Sequence, residues 1–181
     1  RRTPSSTLFP YTTLFRSELF KNNTMTFVAG SSWQPDEDLF IEYFNQHPEV
    51  KLIIAPHVID ENHLVEIIRK LKRPYVRYTR ADEKNVRKAD CLIIDCFGLL
   101  SSIYRYGEIA YIGGGFGVGI HNTLEAAVYG IPVIFGPKYQ KFQEAIRLLE
   151  AKGGFSIKSY EELKALDRKS TRLNSSHGKL S

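Results

Sequence analysis

No run in this 181-residue chain approaches the ~18 consecutive apolar residues of a membrane-spanning helix, so the sequence reads as a soluble polypeptide. Cysteine is nearly absent. The two present, Cys91 and Cys96, fall at either end of an expected strand, ~16 Å apart and too far to bridge. They read as small core residues of a reducing compartment, not as metal ligands or a nucleophile. A basic body is missing as well. Lys and Arg outnumber Asp and Glu by 25 to 20, which suggests a polyanionic partner until the charges are placed. Arg1, Arg2, Arg16, Arg168, Lys169, Arg172 and Lys179 lie in two end segments that hold no acidic residue. Without those seven, residues 18–167 carry 18 basic and 20 acidic side chains. That body has no field suited to a phosphate backbone, and nucleic acid is not expected as a partner.

Both ends lack hydrophobic period. Residues 1–17, RRTPSSTLFPYTTLFRS, are rich in Thr, Ser and Pro, and residues 168–181, RKSTRLNSSHGKLS, form a polar string. They resemble translated sequencing-adapter DNA. The expected organisation is therefore a non-native segment 1–17, one body at 18–167, and a non-native tail 168–181, with the natural protein extending beyond both ends. The first segment has no continuous apolar stretch of the kind a signal peptide needs.

From residue 25 onward, short β-branched runs alternate with amphipathic segments. Strands are expected at 25–30, 51–57, 74–79, 91–95, 108–114, 131–136 and 154–157. Helices are expected after Pro35, from Asp60, at 98–107, at 122–130, at about 141–152 and from about residue 160, with a polar connection at 80–90. In the helix from Asp60, Leu64, Ile67, Ile68 and Leu71 share one face. Strands that are apolar throughout, each followed by a helix, specify a doubly wound parallel α/β sheet covered on both faces, here over residues 25–157. Ligands of such sheets bind beyond the carboxyl ends of the strands. The residues falling there include Ser31, Ser32, His57, Asp95 and Lys138, an edge suited to an anion.

The run GGGFGVGIHNTLEAAVYGIPVIFGP at 113–137 is the most specific segment. Gly113, Gly114, Gly115, Gly117 and Gly119 offer backbone N–H groups with no Cβ to hold a ligand away, and the helix expected from Asn122 would add its positive end. No register of the run fits G-x-G-x-x-G, and the Lys-Ser/Thr pair of a P-loop is absent, so NAD enzymes and P-loop kinases are disfavoured. His121 is a candidate donor to a phosphate. Asn122 and Glu125 have two readings: a capping box, or Glu125 accepting from the two hydroxyls of a ribose. Lys138 is either a phosphate contact or a solvated loop lysine. Asp36, Glu37, Asp38, Glu61 and Glu66 read as solvated helix faces.

With GSSW at 30–33, IIAPH at 53–57 and GPKYQKF at 136–142, the glycine-rich HN-x-x-E run resembles the carboxy-terminal half of the 3-deoxy-D-manno-octulosonic acid (Kdo) transferases over about residues 25–166. The resemblance implies the two-domain GT-B fold and a nucleotide-sugar-binding domain. The implied reaction is transfer of Kdo from CMP-Kdo to a lipid A precursor, without cofactor or metal, in lipopolysaccharide biosynthesis at the cytoplasmic face of the inner membrane. It places the CMP-sugar donor against Ser31, Ser32, His57, the five glycines, His121, Asn122, Glu125 and Lys138. It also implies that the general base, the acceptor site and the membrane contact belong to a missing amino-terminal domain, so that this chain is inactive alone. Family members commonly have Pro-Arg-His where this chain has Ala55-Pro56-His57, and Gly-Glu where it has Phe97-Gly98. Two other readings compete: a GT-B enzyme using a UDP-sugar, and a non-catalytic nucleotide-binding module.

Overall fold

The computed structural model describes residues 16–177, with side chains through residue 169. A short helix, α1 (residues 16–21), precedes a run of strands and helices. These are β1 (Thr26–Ser32), α2 (Gln34–Gln46), β2 (Lys51–Pro56), α3 (Glu61–Lys70), β3 (Tyr75–Arg77), α4 (Glu83–Lys88), β4 (Cys91–Ile93), α5 (Leu100–Ile103), β5 (Ile109–Ile112), α6 (Leu124–Ala127), β6 (Val133–Phe135), α7 (Gln143–Glu150), β7 (Gly154–Ser156) and α8 (Tyr160–His177). All seven strands lie in one parallel sheet of order β3-β4-β2-β1-β5-β6-β7. The doubly wound α/β class is borne out.

Period-two alternation assigns each strand residue to one of two cores. Phe27, Ala29, Leu52 and Ile54 face α2, α3 and α8, whereas Val28, Ile53 and Ala55 face the opposite layer with Ile103, Tyr104 and Ala126. Because β1 is covered on both sides, all seven of its residues are buried, Thr26 and Ser32 included. Leu64 and Ile67 of α3 are buried and Ile68 and Leu71 pack beside them, as the stripe requires. Asp60 caps that helix by accepting from the His63 N–H at 3.0 Å.

Several elements differ from expectation. The connection 80–90 contains α4, because Asp82 accepts from the N–H groups of Lys84 and Asn85 while Asn85 accepts in return from Asp82. That reciprocal cap is carried by Asn rather than Glu or Gln. The helix expected at 98–107 splits into α5 and a 3₁₀ turn, Tyr104–Tyr106. The helix expected at 122–130 shrinks to the single turn of α6, followed by Gly130 at φ 67°. At the ends, residues 1–15 lie outside the described residues. Ser17 is buried in α1, and Arg16 donates to the Tyr78 carbonyl at 3.3 Å. Helix α8 runs past residue 168 to His177; no Gly or Pro interrupts the sequence before Gly178.

Phe20 ties α1 to the sheet. Its ring is fully buried in the core on the Val28 face, Lys51 Nζ lies 4.9 Å from the ring centroid, and the same ammonium donates to the Phe20 carbonyl. Phe20→Ala should cost about 3–5 kcal/mol in urea unfolding. A loss below about 1 kcal/mol would show that α1 contributes little to the fold.

Candidate functional site: the crevice between β1 and β5

The strand order fixes where a ligand can enter. From β1 the chain builds outward through β2 to β3 and β4, then returns to add β5, β6 and β7 on the other flank. The order reverses between β1 and β5, and the crevice beyond their carboxyl ends is the binding position of an open α/β sheet. The glycine run leaves β5 at this point. Ser31 leaves β1 beside it with φ 52°, a left-handed conformation seldom adopted by a non-glycine residue.

Most of the glycines are required by the fold itself. A Cβ on Gly113 would strike the Ser31 carbonyl and the Ser32 Cα, and one on Gly115 would come within 2.6 Å of the Gly136 backbone. Gly114 and Gly119 have φ of 95° and 131°. Gly117 alone has neither constraint, since its nearest neighbour would be 3.8 Å away. Hydrogen bonds divide the loop in the same way. Gly113, Gly114, Gly117, Gly119, Ile120 and His121 spend their N–H groups on Gly30, Asp36, Gly114, Gly114, Lys138 and Gly113 respectively. Among the described residues, nothing accepts from the N–H groups of Gly115, Phe116 and Val118, so these are the donors the loop can offer an anion.

Three rings stand over this loop. His57 stacks on Trp33 at 4.6 Å and on His121 at 4.4 Å between centroids. Trp33 Nε1 donates to His121 Nε2 at 3.1 Å. Indole is only a donor, so a neutral His121 carries its proton on Nδ1. Burial, and then His57, hold the His121 imidazole below its ordinary range, against the opposing pull of Asp36. The neutral ring presents an Nδ1–H donor rather than a charge.

The other expected contacts separate into groups. Ser32 is fully buried and donates to Glu37 at 2.9 Å, so its hydroxyl is turned away from the crevice. Lys138 keeps an exposed ammonium, while its backbone bonds to Gly115 and Ile120 hold the β6 loop against the glycine run. Asn122 Oδ1 accepts from Leu124 N–H at 3.0 Å in an Asx turn. Thr123, not Asn122, is the N-cap, and no capping box forms with Glu125. The cap reading of Glu125 is therefore overturned. Its half-buried carboxylate lies one turn beyond the loop, near Tyr104, and α6 is too short for a substantial macrodipole.

The acidic first turn of α2 is the larger correction. Asp36 and Glu37 are each 1% exposed and are not solvated. Glu37 accepts from Ser32 and bonds His63 Nε2 at 2.8 Å. Asp36 Oδ2 accepts from the N–H groups of Trp33 and Gly114, and its Oδ1 from the Tyr111 hydroxyl. Asp38, Glu61 and Glu66 are exposed as expected, paired with Lys70, Arg77 and Arg69. The chain's Asp-x-Asp run, 36–38, thus points its carboxylates in different directions, and no cluster of three metal-ligating side chains occurs among the described residues. Sequence alone gave one hint of Asp36: an acidic residue three places after Trp33, at the position that caps a helix from within.

Asp95 ends β4 on this edge as expected, but it is engaged. It takes the Arg77 Nε at 2.9 Å and both the backbone and hydroxyl of Thr79. Around the crevice, Val118 beside Trp33, Phe97 beside His57 and Leu124 beside His121 are exposed; Tyr75, Val128 and Tyr129 are the other large exposed apolar residues among the described residues.

Fold and crevice define a Rossmann-like α/β domain whose ligand edge lies at the β1/β5 switch point. No protein-family model matches the chain. A 3-deoxy-D-manno-octulosonic acid transferase of Aquifex aeolicus is 34% identical over 142 residues, covering 75% of this chain and 39% of the relative. A bifunctional glycosyltransferase/methyltransferase of Fusobacterium nucleatum is 30% identical over 166 residues, covering 89% of this chain and 26% of the relative. Among solved structures, the C-terminal CMP-Kdo binding domain of WaaA from Acinetobacter baumannii superposes with a TM-score of 0.73 at 18% identity, over 90% of this chain and 88% of that one. The chain is homologous to Kdo transferases over most of its length, as the glycine-rich run suggested, and it spans about two fifths or less of these two curated relatives.

The glycine inventory makes a direct prediction. Gly115→Ala should lose about 1–3 kcal/mol of stability by overpacking against Gly136, whereas Gly117→Ala should stay within about 0.5 kcal/mol. Chemical denaturation of the two variants reads the difference. Equal costs would mean that contact with Gly136 is not what demands glycine at 115.

Asp95 predicts an acid limb. Burial works to raise its carboxyl, but the Thr79 and Arg77 bonds outweigh it and hold the group below the ordinary range. A depressed folded value stabilises above the unfolded value of ~3.9 and is lost as pH falls toward the folded one. Asp95→Asn should lower the urea midpoint at pH 7 and flatten its decline between about pH 5 and 2. An undiminished decline would place the acid-labile carboxylate elsewhere.

Proposed function

We propose that this chain is the donor-binding part of a glycosyltransferase that moves Kdo from CMP-Kdo to a lipid A precursor. The observation that carries the reading is the pairing of homology to Kdo transferases with unspent N–H groups at the switch point of the sheet. In this reading the phosphate of CMP lies against Gly115, Phe116 and Val118, with His121 Nδ1–H and Lys138 beside it. The ribose reaches Glu125, whose carboxylate has no partner within its own helix turn.

Charge collects on the phosphate as the bond to the sugar breaks. Donors already fixed by the fold stabilise that charge more in the transition state than in the ground state, and removing one typically costs ~10²–10³ in rate. His121, aimed by Trp33, and three backbone N–H groups supply such donors without a metal ion, so we propose a metal-independent reaction. Asp36 and Asp95 of this edge hold backbone, hydroxyl and arginine groups, and Glu125 is assigned to the ribose. We propose, as the resemblance to Kdo transferases implies, that the base that activates the acceptor lies on another domain, together with the acceptor site and the contact with the cytoplasmic face of the inner membrane. The bare apolar residues around the crevice suit a surface that such a domain covers. Residues 18–167 constitute the donor domain, with Arg16 and Ser17 of the first segment packed on it and α8 continuing into the last.

Trp33 is the chain's single tryptophan, so its emission reports on the crevice. Titrating CMP into the full chain should change Trp33 fluorescence saturably, with UDP competing poorly. Glu125→Gln should weaken CMP by about 1–3 kcal/mol, the scale of a hydrogen bond to a charged group, with no loss of stability. Unchanged affinity would remove the ribose role. Tighter binding of UDP than of CMP would favour a UDP-sugar enzyme.

A further inference from the structure

Asp36, like Asp95, is a carboxylate of this edge to which the donor reading gives no part, but Asp36 alone of the two bonds the glycine run. Its surroundings are unusual for a residue in the first turn of a helix. Three donors from three elements converge on it: the Trp33 N–H at 2.9 Å, the Gly114 N–H at 3.0 Å and the Tyr111 hydroxyl at 2.7 Å. Each of the two N–H partners leads directly into the crevice. Gly114 gives its own carbonyl to the N–H groups of Gly117 and Gly119, both at 3.1 Å, so the glycine turn is built upon it. Trp33 holds the ring of His121 through Nε1. A shift at Asp36 would therefore move the amide donors and the imidazole together.

We propose that Asp36 is a positioning residue of the donor site, holding the glycine turn through Gly114 and His121 through Trp33 in the arrangement that receives the nucleotide. This rests on the donor reading given above. Asp36 touches no ligand itself, and what it supplies is geometry. An acceptor that takes two N–H groups on one oxygen and a hydroxyl on the other is needed here. Asparagine can meet the same demand: its oxygen takes both N–H groups, and its amide donates to a Tyr111 hydroxyl that has rotated to point elsewhere. Alanine meets none of it. A Trp33 N–H and a Gly114 N–H left unpaired in a buried place would pull both segments toward other acceptors.

The test compares full-length Asp36→Asn and Asp36→Ala with the unmutated chain, below their melting points. Without ligand, Asp36→Ala should shift Trp33 emission and the ¹⁵N resonances of His121 and Gly114, and Asp36→Asn should restore them. With CMP, Asp36→Ala should bind about tenfold or more weakly, while Asp36→Asn should stay within about threefold. Should Asp36→Ala not fold, Asp36→Glu replaces it, keeping the charge but displacing the oxygens by one methylene, with the same loss expected. Unchanged resonances in Asp36→Ala would overturn the positioning role. So would an Asp36→Asn variant as weak as Asp36→Ala, which would show that charge rather than geometry matters. Absence of CMP binding by the unmutated chain would instead count against the donor reading, with the ligand-free spectra still deciding the role of Asp36.

Discussion

Two backbones pass each other at the end of β1 with no room for a side chain between them, and the rest of the site is arranged around that approach. Gly113 lies against the carbonyl of Ser31 so closely that any Cβ would collide. The same approach puts Ser31 into a left-handed conformation and brings the Gly114 N–H within reach of the first turn of α2. Because β1 and β5 are also the strands between which the winding reverses, this contact forms the floor of the crevice. On this view the glycines of the loop serve the fold first, and Gly117, together with the N–H groups of Gly115, Phe116 and Val118, is what remains for a ligand.

The carboxylates show how a face can be polar in composition and yet leave little charge to solvent. Asp36, Glu37 and Asp95 are buried or nearly so at their side chains; Asp36 and Asp95 accept on both oxygens, whereas Glu37 meets Ser32 and His63 on Oε1 alone and its buried Oε2 has no partner among the described residues. Burial of an ionised group is tolerated when its lone pairs are occupied and is costly otherwise. These residues are committed to holding segments in place, which leaves the crevice lined with amides, imidazoles and a lysine. An anionic ligand meets donors there, and the nearest negative charge is already compensated.

Strand positions and the parallel class were legible in the sequence because they depend on local pattern: β-branched runs in 51–57 and 108–114, and the stripe at Leu64, Ile67, Ile68 and Leu71. The glycine run at the carboxyl end of β5 stood out for the same reason. What escaped depends on contacts distant in sequence. Asp36 looks like any acidic residue in a first turn until Tyr111 and Gly114 are brought against it across more than seventy positions. Asn122 and Glu125 have the spacing of a capping box, but the chain starts its helix one residue later, at Thr123, and Asn122 satisfies its carbonyl locally instead. Ser32 follows Ser31 directly, yet the irregularity at Ser31, where the register with β2 shifts, turns its hydroxyl inward to Glu37.

The apolar residues that ring the crevice bear on temperature. Phe97 and Val118 are 82% and 94% exposed, and Leu124 is 49% exposed. Any body that closes over this edge removes their hydrocarbon from water, and such burial carries a negative heat-capacity change and weakens on cooling. Hydrogen bonds to backbone N–H groups such as those of Gly115, Phe116 and Val118 lack that signature. Apolar covering of this edge and hydrogen bonding to its amides would therefore follow different temperature laws, the first weakening in the cold while the second persisted.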